Sequence, residues 1–263
     1  MDLGLTDRVA FVGGASAGLG RAIARRLAKE GCRVAICARR PDVLESLARE
    51  LKTDFGADVS VATGDLADTG SIVTLVRESA TELGPIDVLV TNVGGPPAGQ
   101  FDDLEPAAWN RALDLLLHSV LTLSREVLPS MKEKGWGRII NVTSVAVKQP
   151  VDNLMLSNSI RAAVTGFART LANEVARDGI TVNNVMPGYT RTERLEELAA
   201  GAAARQGIDA SAVFAKWEEE TPAGRLGEPE ELAALVAFLA SKHAAYITGT
   251  STPVDGGWIR GLV

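Results

Sequence analysis

The stretch Val9–Arg21, VAFVGGASAGLGR, constrains the fold more than any other part of the chain. A short apolar run ends in a glycine-rich turn, and Leu19, Ile23 and Leu27 then recur at helical spacing. The turn contains Gly13, Gly14, Gly18 and Gly20. Glycines let a ligand approach the backbone closely, and the first-turn N–H groups of a helix attract phosphate. A tight strand–helix connection is the simpler alternative, but the order strand, turn, helix favours pyrophosphate binding.

The bulk properties exclude several classes of protein. The chain has 263 residues, of which 46% are hydrophobic and 23% charged, which suits one large α/β domain or two small ones. A net charge of -6 provides no basic surface for nucleic acid. No apolar run approaches the roughly 20 residues of a membrane helix, and no signal peptide is recognisable. Two cysteines and two histidines form no disulfide framework or metal-ligand pattern, so we expect a cytoplasmic protein without a structural metal.

Strand-like and helix-like stretches alternate along the chain. The predicted strands are Val9–Val12, Arg33–Cys37, the run around Val59 and Val61, Ile86–Thr91, Arg138–Val142, Thr181–Met186 and Ser251–Val254. The predicted helices after the first are Pro41–Thr53, Asp68–Leu83, Trp109–Met131, Leu154–Asp178 and Glu230–Ser241. This alternation predicts an α/β fold with a Rossmann-like, doubly wound parallel sheet of about seven strands and helices on both faces. Ligands of such a sheet bind at the carboxyl ends of its strands.

One segment departs from this alternation. Thr190–Arg225 is polar and alanine-rich, and it follows a strand that ends at Pro187-Gly188. We expect it to form a small helical lid, spanning about residues 190–225, inserted into a single dinucleotide-binding domain of residues 1–263.

Several further motifs accompany the glycine-rich turn. They are GDLAD (Gly64–Asp68), TNVGG (Thr91–Gly95), GRIINVTS (Gly137–Ser144), NNVMPGYTRT (Asn183–Thr192), GRLGEPEELAALVAFLAS and YITGTSTPVDGG. Through this set the chain resembles the short-chain dehydrogenase/reductase family along nearly its whole length. It is most similar to the branch of the 3-oxoacyl-acyl-carrier-protein reductases.

The resemblance implies a set of cofactor-binding positions. They are Gly14, Ser16, Ala17, Gly18, Leu19 and Gly20 in the turn, Asp65 and Leu66 at the adenine, Asn92, Val93 and Gly94 after the fourth strand, and Pro187, Gly188, Thr190 and Thr192 at the nicotinamide. Asp65 has a simpler alternative as a helix N-cap. Gly13 stands where the family usually has a threonine, so one hydroxyl is missing.

The end of the second strand indicates which cofactor is bound. An acidic residue there would bond the ribose 2′-hydroxyl of NAD, but this chain has Ala38 followed by Arg39 and Arg40. Two guanidinium groups suit a 2′-phosphate by charge and by their forked geometry. A solvated basic turn is the alternative. The missing acid and the gained arginines together favour NADP(H) over NAD(H).

The catalytic positions that the resemblance implies are largely replaced. The family uses a serine, a tyrosine and a lysine four residues after that tyrosine, supported by an asparagine on an earlier helix. Ser144 matches the serine, whereas Ser157 and Arg161 occupy the tyrosine and lysine positions. Aligning Trp109–Val120 on the earlier helix places Leu116 where the asparagine would be.

These replacements change the chemistry that the site can perform. Tyrosine has a reference pKa of about 10 that a nearby cation can lower, whereas the Ser157 hydroxyl is a poor proton donor that can still bond a substrate oxygen. Arg161 can hold the ribose and stabilise negative charge, but guanidinium does not deprotonate at neutral pH. Lys148, Tyr189 or water would then supply the proton. Lys148 could equally point into solvent and Tyr189 could simply cover the cofactor, and we expect His118 to be structural.

We therefore predict an NADP(H)-dependent oxidoreductase of carbonyl or alcohol substrates, similar to 3-oxoacyl reductases, with a Ser144/Ser157/Arg161 site. One alternative is a cofactor-binding protein with little catalysis, acting as a sensor or partner subunit. Another is a non-redox enzyme on the same frame. Arg161 is similar to the arginine that halohydrin dehalogenases pair with a tyrosine. This chain lacks that tyrosine and has an intact glycine turn, and both features argue against this alternative. The two long helical patterns predict a homodimer or homotetramer that binds a small-molecule substrate and neither nucleic acid nor membrane.

Overall fold

The computed structural model describes residues 1–262, which form a seven-stranded parallel sheet flanked by helices. The strands are β1 (Val9–Gly13), β2 (Arg33–Ala38), β3 (Val59–Thr63), β4 (Val88–Thr91), β5 (Gly137–Val142), β6 (Ile180–Pro187) and β7 (Ser251–Val254). Their order is β3-β2-β1-β4-β5-β6-β7, and every neighbouring pair is parallel. The predicted fold class is thereby confirmed. The chain reverses its direction of winding between β1 and β4, so the loops after these two strands diverge and leave a crevice between them.

The helices alternate with the strands as predicted, with small shifts at their ends. They are α1 (Gly18–Lys29), α2 (Pro41–Phe55), α3 (Thr69–Leu83), α4 (Pro106–Leu113), α5 (Ser119–Lys134), α6 (Met155–Val175), α7 (Glu193–Gln206), α8 (Ala210–Glu220) and α9 (Pro229–Ala240). The pattern predicted as one helix over Trp109–Met131 is instead α4 and α5 joined by a π-helical turn, Asp114–His118. The strand predicted from Ile86 begins at Val88.

Alternate residues of each central strand enter two separate cores. On β1, Ala10 and Val12 face the layer of α1, α2 and α9, while Val9 and Phe11 face the layer of α3, α5 and α6. All five residues of β1 are buried, as expected for a strand covered on both faces. The continuous apolar runs in the sequence are therefore a consequence of burial on both sides of the sheet.

The alanine-rich segment after β6 folds into two helices that pack on each other. Ala199, Ala202 and Ala203 of α7 meet Val213 of α8, and these small side chains allow the two helices to approach closely. The helical character predicted for this segment is present in the structure.

The glycines of the turn after β1 lie where a side chain would crowd its neighbours. Gly14 and Gly18 adopt φ values of +59° and +50°, which favour glycine. A Cβ on Gly20 would overlap the carbonyl oxygen of Gly14, and a Cβ on Gly13 would lie 2.7 Å from the carbonyl oxygen of Asn92. This packing explains why the chain has glycine at position 13 where a threonine would add bulk.

Two glycine substitutions test this packing. We expect Gly20→Ala to lower the free energy of unfolding by about 2 kcal/mol, because the added methyl meets backbone that cannot move aside. Gly201→Ala, in the middle of α7, should instead raise it by about 1 kcal/mol, because the nearest atom is the flexible end of Arg205 at 3.5 Å. Denaturant unfolding of both variants gives the comparison, and equal effects would contradict the proposed crowding at Gly20.

Candidate active site

The first turn of α1 has backbone donors that no side chain occupies. Its N-cap residue is Ala17, which makes no capping hydrogen bond, and Gly18, Leu19 and Gly20 form the first helical turn. Most helices satisfy these N–H groups with a serine, threonine or aspartate cap. An uncapped helix start beside a glycine turn can receive a phosphate, and Ser16 is half-buried in the same turn.

Asn92 connects this turn to the neighbouring strand β4. Its side-chain amide donates to the carbonyl oxygens of Gly13 at 3.1 Å and Gly14 at 3.4 Å. The residue therefore holds the turn in place from across the crevice. Val93 packs inward from the same loop, whereas a Cβ on Gly94 would meet no atom within 4 Å, so the crevice is open at that point.

Asp65 lies at the other end of the crevice, after β3. Its carboxylate accepts the backbone N–H of Ala67 at 3.0 Å, so it shapes the loop but does not cap α3. The N-cap is Asp68, whose carboxylate accepts the N–H of Gly70 at 3.0 Å, and the alternative of Asp65 as the helix cap is therefore wrong. Leu66 is buried beneath Gly13.

The two arginines after β2 differ in their surroundings. Both side chains are exposed, and Arg40 lies 3.8 Å from the carboxylate of Glu193 at the start of α7. Within residues 1–262, no carboxylate lies within 4 Å of Arg39. Arg39 is therefore the freer of the two guanidinium groups.

The loop after β6 brings the start of α7 towards the glycine turn. Gly188 donates its N–H to Val254 at 3.0 Å, and the Thr190 hydroxyl donates to the carbonyl of Gly188 at 3.3 Å. The Thr192 hydroxyl accepts the N–H of Leu195 and caps α7. The methyl group of Thr192 would lie 3.1 Å from a Cβ on Gly18, so two of the predicted cofactor segments face each other. Pro187 ends β6 at the same edge of the sheet.

Ser144 follows β5 and begins a short 3₁₀ turn, Val145–Val147. Its hydroxyl oxygen accepts the N–H of Ala146 at 3.1 Å, and this bond fixes the side chain while leaving the hydroxyl proton free to donate. Helix α6 packs directly against this turn. The structure therefore brings the turn after Ser144 and helix α6 together.

Ser157 and Arg161 lie one helical turn apart on α6. Ser157 is 8% exposed, and its hydroxyl makes no hydrogen bond with any residue from 1 to 262. The Arg161 guanidinium donates to the carbonyl oxygen of Val142, the last residue of β5, at 2.7 Å. Burial, followed by the nearby charge of Arg194, lowers the pKa of Arg161 to about 10, so the group remains a cation at neutral pH.

The other residues considered as proton donors lie in different surroundings. Tyr189 stacks on Trp217 with ring centroids 4.8 Å apart and meets the edge of Trp258 at 5.7 Å. Burial, with smaller contributions from the charges of Glu220 and Asp152, raises the pKa of the Tyr189 phenol to about 12. Such a phenol is a weaker acid than free tyrosine.

Lys148 and His118 are both exposed to solvent. The Lys148 side chain is exposed. His118 is exposed as well and lies 2.8 Å from the carboxylate of Asp114, while Leu116 between them is buried. We expected His118 to be structural, and its bond to Asp114, one turn earlier, is local to this helical segment.

Sequence reasoning missed Arg194. This residue follows Glu193 in α7, and its guanidinium donates to the carbonyl of Pro96 at 2.6 Å across the crevice. No motif distinguishes it from the other charged residues of this segment, and only the packing of α7 against the loop after β4 reveals its position.

The comparisons with known proteins define the class. A family model described as enoyl-(acyl carrier protein) reductase matches residues 14–259. The chain is 36% identical to the 3-oxoacyl-(acyl-carrier-protein) reductase FabG of Escherichia coli, over 95% of this chain and 96% of that protein. It is 34% identical to an acetoacetyl-CoA reductase of Allochromatium vinosum, over 95% and 98%. The crystal structure of L-sorbose reductase from Gluconobacter frateurii, complexed with NADPH and L-sorbose, superimposes with a TM-score of 0.94 at 33% identity and covers both chains completely.

The fold and the site together place this chain in the class of α/β dinucleotide-binding oxidoreductases. The chain belongs to the short-chain dehydrogenase/reductase family, as its sequence motifs indicate. In the part of the chain described by the structure, no helix is long and apolar enough to cross a membrane.

The buried phenol gives a spectroscopic prediction. Because the pKa of Tyr189 is raised to about 12, it should remain protonated throughout the range from pH 6 to 10.5. Wild type and Tyr189→Phe should therefore show the same rise in phenolate absorbance up to pH 10.5. A smaller rise in the variant would show that Tyr189 titrates and is available for proton transfer.

Proposed function

We propose that this chain is an NADP(H)-dependent oxidoreductase that moves hydride between the nicotinamide and a carbonyl or alcohol carbon. The single observation that carries the proposal is the uncapped first turn of α1, which lies at the same edge of the sheet as the exposed Arg39. This arrangement offers donors for a pyrophosphate and a cation for a 2′-phosphate. The NADPH bound in the crystal structure of L-sorbose reductase supports the same cofactor.

The residues around the crevice fit the cofactor along its length. Asp65 has one carboxylate oxygen that bonds Ala67, which leaves the other for the adenine amino group. The open space at Gly94 and the capped loop ending at Thr192 would accept the ribose and nicotinamide. When bound, the cofactor supplies or accepts the hydride. The protein residues position the substrate and stabilise charge.

Ser144, Ser157 and Arg161 have distinct roles in this proposal. The two hydroxyl groups donate to the substrate oxygen, because Ser144 keeps its proton free and Ser157 has no partner among the described residues. Arg161 holds the nicotinamide ribose and stabilises the negative charge that develops on the oxygen. In this proposal Ser157 and Arg161 stand at the positions of the family's tyrosine and lysine. Neither side chain takes over the proton transfer that the tyrosine performs in the family. Solvent water supplies the proton in this proposal, and the Tyr189 ring is stacked on Trp217.

A second candidate is a cofactor-binding protein without turnover, such as a sensor or partner subunit. The observation that favours it is that Ser157, whose hydroxyl is a poor proton donor, stands at the position of the family's tyrosine. Steady turnover of any ketone by purified protein excludes this candidate. A non-redox enzyme on the same frame would bind the cofactor weakly and consume none of it.

Residues 1–263 would act as one cytoplasmic dinucleotide-binding domain, with residues 190–225 as a lid over the crevice. The contact between Thr192 and Gly18 supports the lid, because it joins α7 to the phosphate turn. We also expect a homodimer or homotetramer, which light scattering of the purified protein can test.

Cofactor preference gives the first test of the proposed function. Calorimetric titration of the cofactor-free protein should show NADPH binding at least tenfold more tightly than NADH. Arg39→Ala should weaken NADPH about tenfold, equivalent to about 1.4 kcal/mol, and leave NADH unchanged. Arg40→Ala serves as the matched comparison and should cost less, because Arg40 already has Glu193 as a partner. Failure of both cofactors to bind would overturn the oxidoreductase proposal.

Turnover tests the serine roles separately from binding. Ser144→Ala and Ser157→Ala should each lower kcat at least tenfold, because each loses a donor to the reacting oxygen, while NADPH affinity stays within about twofold. The same titration and a ketone-dependent NADPH oxidation assay provide both readouts. Unchanged turnover in both variants would contradict the assigned roles.

A further inference from the structure

We propose that Arg194 is a positioning residue that keeps the lid closed over the nicotinamide end of the crevice, and that it thereby limits how fast NADP(H) enters and leaves. It would act through its bond to the backbone carbonyl of Pro96, which lies across the crevice from the lid. This inference rests on the proposed function, because it concerns the cofactor of that function. The affinity for the cofactor would change little, since Arg194 holds the lid and not the ligand.

The lid packs mainly on itself and is attached to the rest of the fold at one base. Its apolar cluster is formed by residues of α7 and α8, such as Ala199 and Val213, and neither helix packs extensively on another helix or strand. The segment begins and ends at one point, where Thr190 and Gly227 pair as a parallel bridge and the Arg191 N–H donates to the Gly227 carbonyl at 2.9 Å. The position of the lid therefore depends on a small number of contacts, and such segments open more easily than a core.

Two polar contacts join α7 to the rest of the fold within residues 1–262. At the exposed surface, Glu193 lies 3.8 Å from Arg40, and an ion pair of this kind stabilises a structure weakly. The Arg194 guanidinium is half-buried and donates to the carbonyl of Pro96 at 2.6 Å. A hydrogen bond from a charged donor in partly buried surroundings is stronger than an exposed ion pair. Arg194 therefore provides the stronger of the two attachments.

The loop that receives this bond is itself held in place. Pro96 is buried, and the pair Pro96-Pro97 fixes two consecutive φ angles. Further along the loop, Gly99 donates to the carbonyl of Asn153 at 2.8 Å and pairs with Leu154 as a parallel bridge. Leu154 directly precedes α6, the helix of the candidate catalytic residues. The lid is therefore attached to a loop whose position is set by the rest of the fold.

Gly95 leaves the space in which the guanidinium lies. A Cβ on Gly95 would be 2.7 Å from Nε and 3.0 Å from Cζ of Arg194. At the preceding residue, Gly94, a Cβ would meet no atom within 4 Å, so the close approach is confined to Gly95. The contact therefore closes the crevice directly beside the open space that we assign to the ribose and nicotinamide.

The start of α7 spans the crevice. At one side Thr192 approaches the phosphate turn, because a Cβ on Gly18 would lie 3.1 Å from its methyl group. At the other side Arg194 reaches the loop after β4. A dinucleotide that runs from the phosphate turn to the open space at Gly94 would lie beneath this span. The lid would then have to move before the cofactor enters or leaves.

The rate constants of cofactor exchange test this role directly. NADPH binding is followed by stopped-flow fluorescence, and its release is followed after displacement with excess NADP⁺. Arg194→Gln should raise the association and dissociation rate constants together by about tenfold, because opening of the lid precedes both steps. The dissociation constant should then change by less than about threefold. Arg194→Lys should retain part of the wild-type behaviour, because its ammonium group can still donate to the carbonyl.

A second substitution reaches the same contact from the opposite side. Gly95→Ala should raise both rate constants in the same way, because its methyl group would displace the guanidinium. The double variant should exchange NADPH no more than about twofold faster than Arg194→Gln alone, because both changes break one contact. Either single variant suffices for the comparison if the other does not fold.

The matched control is Lys216→Gln, which removes a positive charge from the same lid. The partner of Lys216 is Glu220 at 3.9 Å, within α8 itself, so this change should leave both rate constants within about twofold of wild type. Equal rate constants in wild type, Arg194→Gln and Gly95→Ala would overturn the inference. A rise in the dissociation rate constant alone would also overturn it, because Arg194 would then bind the cofactor directly.

Hydrogen exchange of the cofactor-free protein gives a readout that does not depend on binding. The amides of α7 and α8 should exchange at least about threefold faster in Arg194→Gln than in wild type or Lys216→Gln, because short helices that lose a tertiary contact fray more readily. The amides of β1 and β4 should be unchanged, and unchanged exchange in the lid would contradict the role of Arg194. If wild type binds neither NADPH nor NADH, the proposed function fails, and the exchange comparison still tests the attachment of the lid.

Discussion

The close approach of three backbone segments at the end of β1 is the constraint on which the rest of the site depends. Gly20 lies against the carbonyl of Gly14, and Gly13 lies against the carbonyl of Asn92 from β4. This packing brings the start of α1 to the crevice at the switch point of the sheet, with its N–H groups uncapped. Because no side chain caps those donors, an anionic ligand bound there would satisfy them.

Several of the charged groups assigned to the crevice are cationic. Arg39 and Arg40 are exposed after β2, and the Arg161 guanidinium on α6 donates to the carbonyl of Val142 at the end of β5. Guanidinium groups stabilise negative charge and do not donate protons at neutral pH. The aromatic stack of Tyr189 reinforces this distinction, since its burial makes the phenol a weaker acid.

Much of the fold is predictable from sequence, because strands buried on both faces must be continuously apolar. The last strand, Ser251–Val254, is predicted with its observed bounds. The π turn at Asp114–His118 is not predictable, since the leucine run around Leu116 supplies an apolar residue whichever way the helix is phased. Asp65 and Asp68 are both plausible caps in sequence, and only backbone geometry assigns the cap to Asp68. Arg194 could not be found because its partner, the carbonyl of Pro96, carries no sequence signal.

The central claim is that this frame transfers hydride without a tyrosine–lysine pair. The most direct measurement is a reaction of the purified protein with NADPH deuterated at both C4 positions and a panel of ketones and 3-oxoacyl thioesters, with the products analysed by mass spectrometry and NMR. We predict one deuterium on the carbinol carbon of the alcohol formed from at least one member of the panel. Recovery of every carbonyl compound unreduced, with all deuterium retained in the cofactor, would contradict this claim.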